Sequence, residues 1–194
     1  MPISFLNKDN NYFKIIFFTV YYIFFITAFY ISEDSTGGAF NDYIGYKNLI
    51  NLFINDFKET LLTFDQYGER HSPVTIILLS QFYKTGLSDE LIRFFFFNTS
   101  IISVIFFYKC LKIYYPNIDE IYLKLISSVI FLSPTIRSLS IWPDSHLYGL
   151  IFFVISTYFF IKFKFEKKHK KFNFVILNIL FLALSSYIRP SFSL

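Results

Sequence analysis

Long apolar runs separated by short polar breaks organise this chain, and the runs have the length of a membrane rather than of a core. Tyr12 to Ile31 covers twenty residues, about 30 Å at the helical rise, which matches the hydrocarbon layer. Four more runs follow, Leu91 to Tyr114, Ile121 to Ile141, Leu147 to Phe163 and Phe172 to Ile188, each roughly 25–36 Å long as a helix. The pattern predicts an all-α, polytopic transmembrane bundle of about five spans forming a single membrane domain. The first run predicts a retained anchor, because Ile31-Ser32-Glu33 offers no small-x-small cleavage site.

Pro73 to Lys84 is also apolar, but twelve residues reach only about 18 Å. It is expected to lie along the interface or dip into it, which decides the parity of every later span. If it crossed, Lys109, Lys112 and the run Lys162 to Lys171 would all lie outside, against the positive-inside bias. Without that crossing they share the cytoplasm with Lys8 and Lys14, so the N-terminus is predicted inside and residues 32–90 form an outer loop. That loop carries nine of the fourteen acids. Within it Leu49, Ile50, Leu52, Phe53, Phe57, Leu61 and Leu62 recur at near-helical spacing, predicting an amphipathic helix on the outer leaflet, either a lid over a membrane-embedded cleft or an interfacial helix packing on the bundle.

Composition agrees with this class, at 54% hydrophobic and 23% aromatic residues. The net charge of +4 does not point to nucleic acid, since most lysines sit at the ends of apolar runs where topology accounts for them. The single Cys110 excludes an intramolecular disulfide. No phosphate-binding glycine motif is present; Gly37-Gly38 reads as a turn, and the Asn98-Thr99-Ser100 sequon lies within a span.

Three clusters carry candidate chemistry, all on the predicted outer side. Asp42 opens a helix at Asp42-Tyr43-Ile44-Gly45-Tyr46, where the dipole favours a carboxylate that can serve as general base or simply as an exposed helix-start acid. Glu33 and Asp34 compete for the role from a setting typical of a solvated loop. In Glu69-Arg70-His71-Ser72-Pro73-Val74, free helix-start N–H groups with Arg70 and His71 can hold an anion, or the charges can snorkel to water. The third cluster is Arg137, Trp142, Pro143, Asp144 and His146. Arg137 lies about 7 Å inside the end of its run and needs a partner, for which a lipid phosphate and Asp144 are the candidates. Trp142 reads as an interfacial anchor.

On these residues the chain resembles the GT-C superfamily of membrane glycosyltransferases, in the protein mannosyltransferase-like and aminoarabinose transferase-like branch. Asp42-Tyr43-Ile44-Gly45-Tyr46 is similar to the Asp-Glu-x-x-Tyr stretch of that family, with Tyr43 where a second carboxylate often stands. Arg70 to Leu79 is similar to its His-Pro-Pro-Leu-Tyr-Tyr-Leu-Leu segment, with Ser72 in place of the first proline and Leu91 to Arg93 matching Leu-x-Arg. Ser133-Pro134 followed by Asp144 is similar to its Ser-Pro and second outer-loop acid. The resemblance implies inverting transfer of a sugar from a polyprenyl phosphate to a lipid-linked glycan, a lipid or a protein outside the cytoplasm. It implies Asp42 as base, Arg70, His71, Arg93, Arg137 and Arg189 on the phosphate side, and Asp144 holding the acceptor or a divalent cation, which some relatives use. Family members are longer, so this chain is expected to be the N-terminal part of such a protein. A flippase for lipid-linked oligosaccharides and a non-catalytic assembly protein are the rival classes.

Overall fold

The structure, a computed structural model, describes residues 10–35, 38–69, 71–165 and 171–193. Among these residues regular structure is helical throughout, with no strand. The first long helix, α1 (Asn10–Tyr30), leads into a loop and then α2 (Ala39–Asn55) and α3 (Phe57–Leu62). The single amphipathic helix expected around Leu49 to Leu62 is therefore two helices. Asp56 divides them, because its backbone is extended and its side chain accepts from the Glu59 N–H at 2.9 Å, capping α3. Leu49, Ile50 and Phe53 are buried while Leu61 and Leu62 face out, so α2 packs on the bundle.

The short apolar segment is α4 (Val74–Lys84), preceded by Pro73. Then come α5 (Asp89–Thr99), capped by Ser88, and α6 (Ile101–Tyr114), which together form one path broken only at Ser100. The run predicted as one span over Ile121–Ile141 is broken in two. It contains α7 (Glu120–Ser128), a 3-10 turn over Val129–Leu132, and α8 (Pro134–Ile141), with a bend of 64°. Proline bars the residue before it from helical geometry, and Ser133 accordingly sits at φ −67°, ψ 119° and caps α8 through the Ile136 N–H. The last pair, α9 (Ser145–Phe165) and α10 (Lys171–Ile188), forms an antiparallel hairpin. Asn178 joins its two arms by donating to the Ser156 carbonyl at 2.9 Å, and Ser185 Oγ does so by donating to the Gly149 carbonyl at 2.7 Å.

Asp89–Tyr114, Ser145–Phe165 and Lys171–Ile188 are each long and apolar enough to cross a membrane, and the bent pair makes a fourth if counted as one span. Lys14–Tyr30 is apolar but shorter. Ring contacts fix how these paths run. Phe106 meets Tyr158 and Tyr114 meets Phe165, so α6 and α9 are parallel; Lys112 pairs with Glu120 at 2.5 Å, so α7 starts where α6 stops. Phe25 of α1 stacks on Phe97 at 4.5 Å and touches Phe131 at 5.0 Å, forming the aromatic centre of the bundle. One end thus gathers Lys14, Lys112, Lys124, Lys164 and Lys171, and the other gathers Asp42, His71, Asp144 and Arg189. Of the basic run, Lys167, Lys168 and Lys170 lie outside the described residues.

Both ends of α4 belong to that second end. His71, just before it, meets Arg189, and Tyr83 near its finish meets the start of α5, with Tyr43 donating to Asp89 at 2.7 Å and Tyr83 also bonded to Asp89. A helix that starts and finishes at the same end does not traverse the bundle, as its eleven residues and length of about 16 Å imply.

Candidate functional site

Four separated stretches bring polar side chains to one place at the end of the bundle opposite the lysines. The first is the opening turn of α2. Asp42 sits there, and Tyr46 follows four residues later on the same face. Both line a cavity of about 310 Å³ together with Asn41, Gly45, Gly68, Glu69 and His71. Gly68 is left-handed at φ 70°, a conformation that favours glycine and turns the chain so that Glu69 and His71 reach the same cavity.

After the turn at Gly68, the third stretch is the turn before α9. Asp144 is fully buried, and its Oδ1 accepts from the His146 backbone N–H and from the His146 imidazole, both at 2.7 Å. Arg189, at the finish of α10, closes the group: its Nη2 lies 3.4 Å from Asp144 Oδ1 and also meets His146 Nδ1, while its Nη1 meets His71 Nε2. The imidazole nitrogen of His146 can serve only one partner at a time, donating to Asp144 when protonated or accepting from Arg189 when not. Tyr46 hydroxyl lies 3.4 Å from Asp144 Oδ2 and from Ser145 Oγ, tying the cavity wall to the buried ion group. Gly149 makes room for this. A Cβ there would stand 2.8 Å from the Phe192 ring and 3.1 Å from Arg189 Cβ, so a larger residue would have to move the Phe192 ring and would crowd Arg189.

The electrostatics follow from burial and neighbours. Burial pushes the Asp42 carboxyl up, and the nearby charge of Asp144 adds to this, with Arg189 and His146 opposing. Burial also acts to raise Asp144, but the hydrogen bonds from His146 and the charges of His146 and Arg189 outweigh it and hold the carboxyl below its usual range. His71 is lowered by burial first and then by Arg189, so it is neutral near pH 7. A neutral His71 that accepts from Arg189 through Nε2 carries its proton on Nδ1. That Nδ1 group, Arg189 Nε and Ser72 Oγ are buried with no hydrogen-bond partner among the described residues. Orphaned buried donors cost free energy unless something accepts from them.

The other predicted residues have different partners. Arg137 grips Glu33 with both arms of its guanidinium, Nε and Nη2 each at 2.8 Å from a carboxylate oxygen. Its partner within the protein is Glu33 rather than Asp144, and Glu33 is not a solvated loop acid. The reason is α1: its final turn delivers Glu33 beside α8, an arrangement with no trace in local sequence. Arg93 lies 3.6 Å over the Trp142 ring and donates to the Ile141 carbonyl at 3.0 Å. Trp142 itself is buried, its indole N–H donating to the Glu33 carbonyl at 3.2 Å, and so is no interfacial anchor. Tyr43 points into the Tyr83–Asp89 network rather than the cavity. Arg70 lies outside the described residues. Among those described, no group of three or more His, Cys, Asp or Glu is arranged to hold a metal ion, so the divalent cation has no ready-made ligand set here.

Breaking the Glu33–Arg137 pair tests its structural role. Arg137→Ala is expected to cost roughly 1–3 kcal/mol, between the values for exposed and fully buried ion pairs. The exchange Glu33→Arg with Arg137→Glu should regain part of that loss in denaturant titrations of the detergent-solubilised protein. A single variant as stable as the parent would remove the pair from the account of the fold.

Tyr46, Glu69 and His146 complete the site; each stood within one of the three candidate clusters of the sequence, but none was given a role of its own. Tyr46 is one helical turn from Asp42, and Asp144-Ser145-His146 has an acid just ahead of a helix. No family model, curated protein or solved structure matches this chain.

Proposed function

We propose that this is a membrane glycosyltransferase that transfers a sugar from a polyprenyl phosphate to a hydroxyl acceptor, with inversion, on the extracytoplasmic side. The single observation that carries it is the pairing, in one cavity region, of a carboxylate whose affinity for protons is raised with a cluster of orphaned cationic and neutral donors. Asp42 takes the acceptor proton as its oxygen attacks the anomeric carbon. The bond from that carbon to the phosphate oxygen breaks, and its electron pair leaves with the polyprenyl phosphate. Arg189 and His71, with Ser72 and the first N–H groups of α4, offset the charge that develops there. Asp144 holds Arg189 and His146 in place, and Arg93 and Arg137 brace the wall. The acceptor, whether lipid-linked glycan, lipid or protein, enters beside Asp42 and Glu69.

The reading includes five crossings, with α1, the α5–α6 path, the bent α7–α8 pair, α9 and α10 each passing from one end to the other. The lysine end faces the cytoplasm by the positive-inside bias. Transport fits less well, because the mid-hairpin polar groups Ser156 and Asn178 are occupied in holding α9 to α10 rather than lining a path. Resemblance to the GT-C superfamily agrees in the order of Asp42, the His71-Ser72-Pro73 segment and Asp144.

Two measurements test this. Purified full-length protein with a panel of polyprenyl-phosphate sugars should release polyprenyl phosphate, seen by lipid mass spectrometry; delivery of intact lipid-linked sugar across a vesicle without cleavage would replace transferase with transporter. For topology, Asp65→Cys in a Cys110→Ser background should label from outside in intact cells and Lys164→Cys only after permeabilisation. Labelling of position 65 from the cytoplasmic side alone would invert the arrangement.

A further inference from the structure

At the lysine end, away from the cavity just described, α1, α6 and α7 leave a groove of about 310 Å³ between them. Its lining changes character along its length. Helix directions place Lys14, Tyr108 and Lys124 at one level, because Lys14 lies near the start of α1, Lys124 lies one turn into α7, and Tyr108 lies one turn further along α6 than Val104. One turn deeper into the bundle the walls are Phe18, Val104 and Ile105. Charged groups at the mouth and aliphatic and aromatic walls beyond match an amphiphile inserted headgroup-outward. Ile15 and Ile105 are 64% and 42% exposed, so the groove opens sideways to where lipid chains run.

The charge at the mouth selects the occupant. Lys14 has no ion-pair partner among the described residues. Lys124 is 3.6 Å from Glu120, but Glu120 is already served by Lys112 at 2.5 Å, so Lys124 can turn to another anion without stranding that carboxylate. Among the described residues, Glu120 is the acid beside this mouth, reached through Lys124. Two lysines against one shared acid leave a net positive site, and an apolar trough beneath it excludes a soluble anion as the best fit.

We propose that this groove binds one anionic phospholipid, its phosphate between Lys14 and Lys124 and one acyl chain against Phe18, Val104 and Ile105. Basic sites between membrane helices recognise anionic headgroups by this combination of charge and chain burial. The site stands independently of the glycosyltransferase reading, since it shares no residue with that cavity.

The test uses the full chain, delipidated in detergent and mixed with phosphatidylglycerol or phosphatidylcholine of identical chains, with retained lipid counted by native mass spectrometry. One phosphatidylglycerol should be retained in preference to phosphatidylcholine. Replacing Lys14→Gln and Lys124→Gln together should weaken that retention on the order of tenfold or more, given about fivefold per lysine near a headgroup. The same charge loss elsewhere on that end, Lys164→Gln with Lys171→Gln, should leave it within about twofold. Ile105→Trp, at an exposed position that fills the trough, should reduce retention of both lipids. Equal loss in the two lysine pairs would reduce the effect to diffuse surface attraction. Equal retention of the two lipids, unchanged retention in Lys14→Gln with Lys124→Gln, or full retention in Ile105→Trp would each overturn the site.

Discussion

Asp42→Asn in the full-length protein is expected to lower glycosyl transfer by on the order of a hundredfold or more, as for loss of a general base. The amide keeps the shape and the place in the first turn of α2, so the helix and the cavity wall survive while the proton acceptor is lost. Its chemistry suits the task because burial and the charge of Asp144 raise its pKa, which strengthens it as a base. The same shift fixes the pH dependence. Transfer needs the ionised carboxylate, so activity should fall as pH drops through the raised Asp42 value, which lies above that of an ordinary aspartate. Glu69 faces the same cavity and provides the control: Glu69→Gln should cost far less. Asp34 is not among the residues lining the cavity, yet a dead Asp34→Asn beside an active Asp42→Asn would transfer the role to it.

Asp144→Ala is expected to destabilise the protein by about 3–5 kcal/mol, the loss typical when one partner of a buried ion pair is removed and the other charge is left uncompensated. Here the stranded charge is Arg189, which is nearly as buried as Asp144, and His146 loses its partner as well. The double variant Asp144→Asn with Arg189→Gln should lose less than the sum of its single changes, because neither then leaves an unpaired ion. The pKa shift is opposite to that of Asp42, but the loss again comes on the acid side. Asp144 has a folded pKa below its usual range, so its stabilisation is present above the unfolded value of roughly 4 and disappears as pH falls through the depressed folded value. Unfolding titrations in mixed micelles measure this. A change under about 1 kcal/mol for Asp144→Ala would mean that the cluster does not hold the end of the bundle together.

Local signals in the chain account for the helices and their ends. Apolar runs of membrane length account for α1, α9 and α10, and the length of Val74–Lys84 argues against a crossing, whereas the Asp56 and Ser88 caps that start α3 and α5 were masked by apolar spacing that runs on past them. Ser133-Pro134 carried a break signal that membrane-length hydrophobicity concealed, since a run of apolar residues reads as one span whether or not its helix bends. Trp142 shows the limit of composition: an indole next to an apolar run has the same local sequence whether it floats at an interface or stacks on Arg93.

The sequence by itself determined the all-helical class, the gathering of nine of the fourteen acids into residues 32–90, and the candidacy of Asp42, His71 and Asp144, because each depends on composition and spacing within one segment; Arg189 entered only through the resemblance to a known family. Tertiary structure alone decided which arginine faces the candidate site. Arg189 meets His71 across 118 positions and Arg137 meets Glu33 across 104, and pairings at such separation depend on how helices dock rather than on any periodicity along the chain. The physical reason is that an arginine's depth in a span can be read from its distance to the span end, whereas its azimuth around the bundle is set by packing against other helices.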